Sequence, residues 1–225
     1  MAAIAAPMAA QSFPPGDRWY QNPLGFSPLQ LHTRNAFVVP AVAVALGLLL
    51  TDREPDLVRG FRPEVGLGQS WGYKYPHASV TQMAAGGEFQ LRRWLAVGVE
   101  ADAVFPRDDF NEATGFAVRP WARFYPVTRK GWRLYFESGG GLIRFDRHFP
   151  APTDRDPRRG TRWNGLTKYG VGGAVRVGPT IELRIAARHV HVSNGNAEGE
   201  ARNPSHDSNG IFVGLSWQPS GRPRS

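Results

Sequence analysis

The chain of 225 residues suits a single domain, and its 26 glycines and 12% aromatic content favour strands and tight turns over helices. With no cysteine it has no disulfides, no thiolate catalysis and no Cys-ligated metal. A formal net charge of +8, carried mostly by arginine, calls for anionic partners such as phosphorylated lipid, and no RNP, zinc-finger or helix-turn-helix pattern points to nucleic acid.

Residues 1–60 read as an N-terminal helical or irregular segment. Met1–Gln11 has the small residues that precede a signal-peptide cleavage point, but lacks a basic start and a full apolar core. Ala36–Leu50 is apolar with Pro40 inside it, and falls short of the roughly 20 residues a spanning helix needs. It is expected to form a buried or interfacial helix, with a signal or anchor segment as the alternative.

From Arg62 the pattern changes to an alternation of period two. Eight segments carry it: Arg62–Gly72, Ser79–Leu91, Trp94–Phe105, Thr114–Pro126, Trp132–Phe145, Arg162–Val177, Thr180–Ser193 and Ser208–Gln218. Their connections alternate between short (Arg92–Arg93, Val127–Gly131, Gly178–Pro179) and long (Tyr73–Ala78, Pro106–Ala113, Asp146–Thr161, Asn194–Asp207). Short turns at one end and long loops at the other are the habit of outer-membrane barrels. One face of the segments is apolar, with Leu95, Val97, Val99, Phe116, Val118, Ile211 and Val213. The other carries Glu100, Asp102, Arg119, Arg123, Lys168, Arg176, Glu182, Arg184 and Arg188, with Trp94 placed on this face too. Eight strands enclose a narrow lumen that paired ions can fill, leaving the apolar face for lipid. Trp71, Trp132, Tyr135 and Trp217 lie near segment ends, as interfacial girdles do. The expected fold is all-β, an eight-stranded antiparallel transmembrane β-barrel over residues 61–219, followed by a polar tail at 220–225. A soluble barrel binding an acidic ligand is the rival.

Gly139–Gly141 reads as a close-packing feature of a strand. The segment Asp146–Thr161 holds Arg147, Arg155, Arg158 and Arg159, flanked by Arg144 and Arg162, a cationic rim suited to phosphate. The seventh segment puts Leu183, Ile185, Ala187, His189, His191 and Ser193 on one face, so His191 and Ser193 extend the lipid-side row. Two positions along a strand span about 6.6 Å, a gap that an imidazole and a hydroxymethyl leaning together can close, as a base and nucleophile do. A carboxylate would orient the base. Glu198 and Glu200 lie mid-loop, while Asp207 begins the next strand at the same end of the barrel. His189 is expected at the membrane interface.

His191-Val192-Ser193-Asn194, followed by Asn203-Pro204-Ser205-His206-Asp207, resembles the signature of the lipid A 3-O-deacylase (PagL-type) family of outer-membrane esterases. The signature covers about 17 residues on strand seven and its following loop, and the eight-strand count extends the likeness over most of Arg62–Gln218. The resemblance implies Ser193 as nucleophile, His191 as general base and Asp207 as the orienting acid. Asn194 would contribute to the oxyanion hole and Asn203 would support the site. The substrate would be lipid A of lipopolysaccharide, with Arg147, Arg158 and Arg159 as candidates to meet its phosphates. The location would be the outer membrane, and no metal or organic cofactor is needed. Two positions depart from the family pattern: the acid is Asp rather than Glu, and Ser205 stands where Gly is expected. A non-catalytic barrel that anchors or binds is the alternative reading.

Overall fold

The computed structural model describes residues 33–55, 57, 60–73 and 77–217, with side chains described from Ala36 onward. The leader-like Met1–Gln11 and the tail 220–225 lie outside the described residues. The elements in chain order are α1 (Thr33–Leu50), β1 (Phe61–Gly72), β2 (Ser79–Arg92), β3 (Leu95–Arg107), β4 (Gly115–Arg129), β5 (Trp132–Phe149), β6 (Thr161–Arg176), β7 (Ile181–Ser193) and β8 (His206–Trp217). The eight strands close into one antiparallel barrel in sequence order, β8 pairing back on β1 from Glu64↔Ser216 to Gly72↔Ser208. Closure leaves no unpaired strand edge, the condition for a sheet to sit in hydrocarbon.

The alternation sorts the side chains as expected. Leu67, Phe116, Val118, Leu142 and Val171 point outward and are more than half exposed, at 57–68%. An apolar surface of this extent suits a membrane rather than water. Among the described residues no helix is long and apolar enough to cross a membrane.

The lumen is filled rather than open. Near the short-turn end Arg123 meets Glu64 at 3.0 Å and Glu88 and Glu137 at 2.8 Å each. Arg184 donates to Glu88 at 2.8 Å, Arg133 to Glu182 at 2.6 Å, and the Tyr125 hydroxyl to Glu88 at 2.9 Å. Further up, Lys168 bonds Glu100 at 2.9 Å and Asp102 at 2.7 Å, and Arg119 meets Glu100 at 2.8 Å. At the long-loop end an apolar plug that includes Val80, Val104, Ile143, Phe145, Leu166, Val190 and Val192 closes the interior. A charge buried this deeply is tolerated only when paired, and removing one partner typically costs about 3–5 kcal/mol.

Two expectations about aromatics are corrected. Tyr135 is not a girdle residue: it is 2% exposed, faces the lumen and lies under the Arg123 guanidinium, 4.7 Å from its ring centroid. It shares parity with Arg133 and Glu137, which fixes its direction. Trp94 does not share the luminal face, because it belongs to the β2–β3 turn and stacks on outward-facing Phe124 at 6.2 Å.

Trp94 also meets α1, whose Gly47 sits so close that a Cβ there would lie 2.4 Å from the indole. The helix lies against the outer wall of β4, β5 and β6. Pro40 has no N–H to offer the Ala36 carbonyl one turn back, and Ala36 O instead accepts from Ser138 Oγ at 3.3 Å. At the other end Arg92 donates to the Leu48 and Thr51 carbonyls at 3.4 and 3.0 Å, satisfying acceptors that a helix terminus leaves open. The glycine run on β5 packs closely, since a Cβ at Gly139 or Gly141 would strike Pro120 O or Val118 O at 2.4 and 2.1 Å.

Candidate active site

Strand β7 inverts its polarity part-way along. Up to Arg188 the inward residues are charged (Glu182, Arg184, Arg188) and the outward ones apolar (Leu183, Ile185, Ala187). From His189 the outward residues are His189, His191 and Ser193, and the inward ones are Val190 and Val192 of the plug. The burial pattern changes with it: the last five residues of β7 and the first five of β8 are all buried, so the outer face is covered there as well as the inner. A polar patch thus sits on the barrel's outside near the long loops, with His191 6% and Ser193 8% exposed.

The β7–β8 register builds this patch. His191 lies directly opposite Asp207, and His189 directly opposite Asn209. Asp207 is fully buried, and its Oδ1 lies 2.7 Å from His191 Nδ1. With Nδ1–H given to the carboxylate, Nε2 is the ring position left to take a proton. Glu198, by contrast, pairs with Arg202 at 3.5 Å, and Glu200 sits in the short 3-10 turn Glu200–Arg202 of the β7–β8 loop. His189 is not interfacial: it is 4% exposed, against Tyr169 and Tyr73 at ring-centroid distances of 4.9 and 6.0 Å.

The Ser193 hydroxyl donates to Asn203 Oδ1 at 3.0 Å and accepts from the Gly195 backbone N–H at 3.0 Å. Asn203 Oδ1 also accepts the Asn194 N–H at 3.2 Å, and Asn203 Nδ2 donates to Asn196 Oδ1 at 2.8 Å. The Asn194 side chain is committed to the loop: its Nδ2 donates to Arg202 O at 2.8 Å and Thr161 Oγ1 at 3.3 Å, and its Oδ1 accepts from Asn196 N at 3.0 Å. The donor turned toward the Ser193 hydroxyl is therefore the Gly195 backbone N–H rather than the Asn194 side-chain amide. Gly195 and Asn196 both take positive φ, at 64° and 62°, a tight turn that Gly and Asn tolerate best. Ser205 also takes positive φ, at 52°, the conformation that the family's glycine would adopt without strain.

The three rim arginines part company. Arg158 reaches the site's loop, its Nη1 lying 3.5 Å from Asn203 O, while its Nε and Nη2 grip Asp156 at 2.8 and 2.7 Å. That guanidinium holds the Asp156 carboxyl below its usual range. Arg147 is well exposed and pairs with neighbouring Asp146 at 3.6 Å, away from the site. Among the described residues, no hydrogen bond or ion pair joins Arg159 to the site. Among the same residues no group of acidic and histidine side chains is arranged to hold a metal ion.

The sequence reading passed over Asn209, Tyr169, Tyr73, Thr161 and the Gly195 amide. Asn209 had a usable signal, since it shares parity with Asp207 two residues on. Tyr169 needed the β6–β7 register, which sets it opposite His189.

A model of the lipid A 3-O-deacylase (PagL) family matches residues 66–216. The outer membrane enzyme PagL superposes with a TM-score of 0.52 at 14% identity, over 71% of this chain and 98% of that one. Neisserial surface protein A superposes at 0.50 and 10% identity, over 72% of this chain and 100% of that one. None of the curated protein sequences matches this chain. The structural likenesses agree with the closed eight-stranded fold, which is that of an outer-membrane barrel.

Proposed function

The chain belongs to the lipid A 3-O-deacylase (PagL) family, and from that membership we propose that it hydrolyses the 3-O-acyl ester of lipid A with Ser193 as nucleophile, His191 as general base and Asp207 as the orienting acid. The observation that carries this reading is the 2.7 Å contact between Asp207 and His191, two residues along β7 from Ser193, on the face turned to hydrocarbon. An ester held in the outer leaflet meets such a site from the side, without entering the filled lumen.

In the resting arrangement the Ser193 proton is given to Asn203. Rotation about the Ser193 side-chain bond transfers it toward His191 Nε2, which removes it as Oγ bonds to the ester carbonyl carbon. The Gly195 N–H, already 3.0 Å from Oγ, is placed to donate to the oxyanion that forms. His191 then passes its proton to the departing sugar oxygen as the carbon–oxygen bond breaks. Water attacks the acyl-serine by the same route and releases a fatty acid. Asp207 stabilises the imidazolium of both steps. Arg158, beside Asn203, is placed to meet a phosphate of the glucosamine headgroup if it exchanges Asp156 for that anion.

The test is mass spectrometry of lipid A from cells expressing the chain. Wild type should remove one 3-linked acyl group. Ser193→Ala should leave lipid A intact while still folding, as judged by heat-dependent gel migration. Deacylation by a folded Ser193→Ala protein would end the serine assignment, and unchanged lipid A with wild type would end the substrate assignment.

A further inference from the structure

Asp207 faces two imidazoles. Its Oδ1 lies 2.7 Å from His191 Nδ1 and 3.4 Å from His189 Nε2. His189 in turn has Nδ1 3.0 Å from Asn209 Oδ1. The four side chains stand as two directly opposed cross-strand pairs on the outer face, and the His189–Asp207 contact is the diagonal between them.

We propose that His189 is a positioning residue for Asp207, so that the array runs Asn209–His189–Asp207–His191; this rests on the triad reading above. The physical need is plain. Asp207 is fully buried on a face turned to hydrocarbon, where a carboxylate is costly unless donors surround it. His191 supplies one N–H, but that bond must persist while His191 gains and loses a proton in each cycle. A second imidazole edge, 3.4 Å away, holds the carboxylate in place through those changes.

The Asn209 contact decides what His189 offers. With Asn209 Oδ1 as the acceptor, the His189 Nδ1–H is the donor. If the amide is turned, its Nδ2 donates to Nδ1 and the neutral ring keeps its proton on Nε2. Both arrangements leave the Nε2 edge of His189 3.4 Å from Asp207 Oδ1, in contact with the carboxylate though outside hydrogen-bond geometry. The ionisable groups around the ring are Asp207 on β8, His191 on β7, Tyr169 on β6 and Tyr73 after β1. Packing alone would be served by a Leu or Phe, as Leu183, Ile185 and Ala187 serve lower on the same face.

The experiment is a double-mutant cycle on the full chain in outer-membrane vesicles, measuring kcat and KM for lipid A deacylation in folded protein. His189→Leu should lower kcat about tenfold, the scale of one lost polar contact to a charged group, with KM unchanged. His189→Gln, whose amide can still donate, should recover most of the loss. Asn209→Leu, which removes only the far contact, should lower kcat by about threefold on the same scale, and it carries the cycle if His189→Leu does not fold. Neither variant should lower kcat further once Asp207 is Asn, because their effect passes through that carboxylate. An equal fold-loss with and without Asp207, wild-type kcat in His189→Leu, or no recovery with Gln would each overturn the proposal. Full activity in Asp207→Asn would instead remove the triad reading on which it stands, so the two failures are distinct.

Discussion

Asp207 Oδ1 sits 2.7 Å from His191 Nδ1, directly across the β7–β8 ladder and without solvent exposure. The carboxylate can therefore fix the ring's tautomer as well as its direction. Asp207→Asn keeps the shape but offers an amide where the ring needs an acceptor, and on the triad reading should lower kcat by about 10⁴-fold. Asp207→Glu restores the acceptor and should recover part of the rate. Single-turnover deacylation measured on folded barrels compares the two.

Asn203 holds the Ser193 hydroxyl and the Asn194 N–H on one oxygen. Asn203→Ala frees the serine rotamer and loosens the loop, and should cost about tenfold in kcat, the worth of one or two neutral hydrogen bonds. Asn203→Asp keeps the accepting oxygen and should lose less. Steady-state kinetics of the pair would show the difference, and equal losses would mean that the shared acceptor is not what matters.

Ser205 holds φ at 52°, where a side chain crowds the backbone. Glycine relieves about 1 kcal/mol of that crowding and gives back a similar amount as unfolded-chain entropy, so Ser205→Gly should leave unfolding unchanged. A β-branched residue tolerates this region worst, and Ser205→Val should destabilise by about 1–3 kcal/mol and displace Asp207's end of the loop. Urea unfolding in detergent measures both.

Glu88 accepts from Arg123, Arg184 and Tyr125 at the centre of the luminal network. Glu88→Ala takes a counter-charge from four guanidinium groups, those of Arg62, Arg123, Arg133 and Arg184, and should lower stability by about 3–5 kcal/mol. The His191–Ser193 patch lies at the other end of the barrel, so specific activity of the folded fraction should stay near wild type. Thermal unfolding followed by gel migration, together with activity per folded molecule, reads both quantities.

Val213 points outward near the middle of β8 and is 44% exposed. Val213→Arg should cost about 2–4 kcal/mol if that surface meets the hydrocarbon midplane. Ala197, exposed in the β7–β8 loop, should accept arginine with little change in folding. Folding into lipid bilayers separates the two, and a neutral Val213→Arg would place that surface in water.

Period two is a local property of an extended chain, because successive side chains must point to opposite sides. The strand count, the long and short connections, the charged lumen and the outward direction of His191 and Ser193 were therefore readable residue by residue. The same parity argument would have placed Tyr135 inside with Arg133 and Glu137. What lies opposite a residue is set by register, and register depends on pairings between strands far apart in sequence. Register chose Asp207 over Glu198 and Glu200 as His191's partner, set Asn209 across from His189, and brought Tyr73 and Tyr169 around that ring from β1's end and β6. Loop closure turned the Asn194 side chain inward on its own loop and left the Gly195 backbone N–H beside the Ser193 hydroxyl. The sequence by itself determined the barrel and the outward parity of His191 and Ser193; only the tertiary structure decided which groups touch, since contact between strands is a non-local outcome of how the sheet closes.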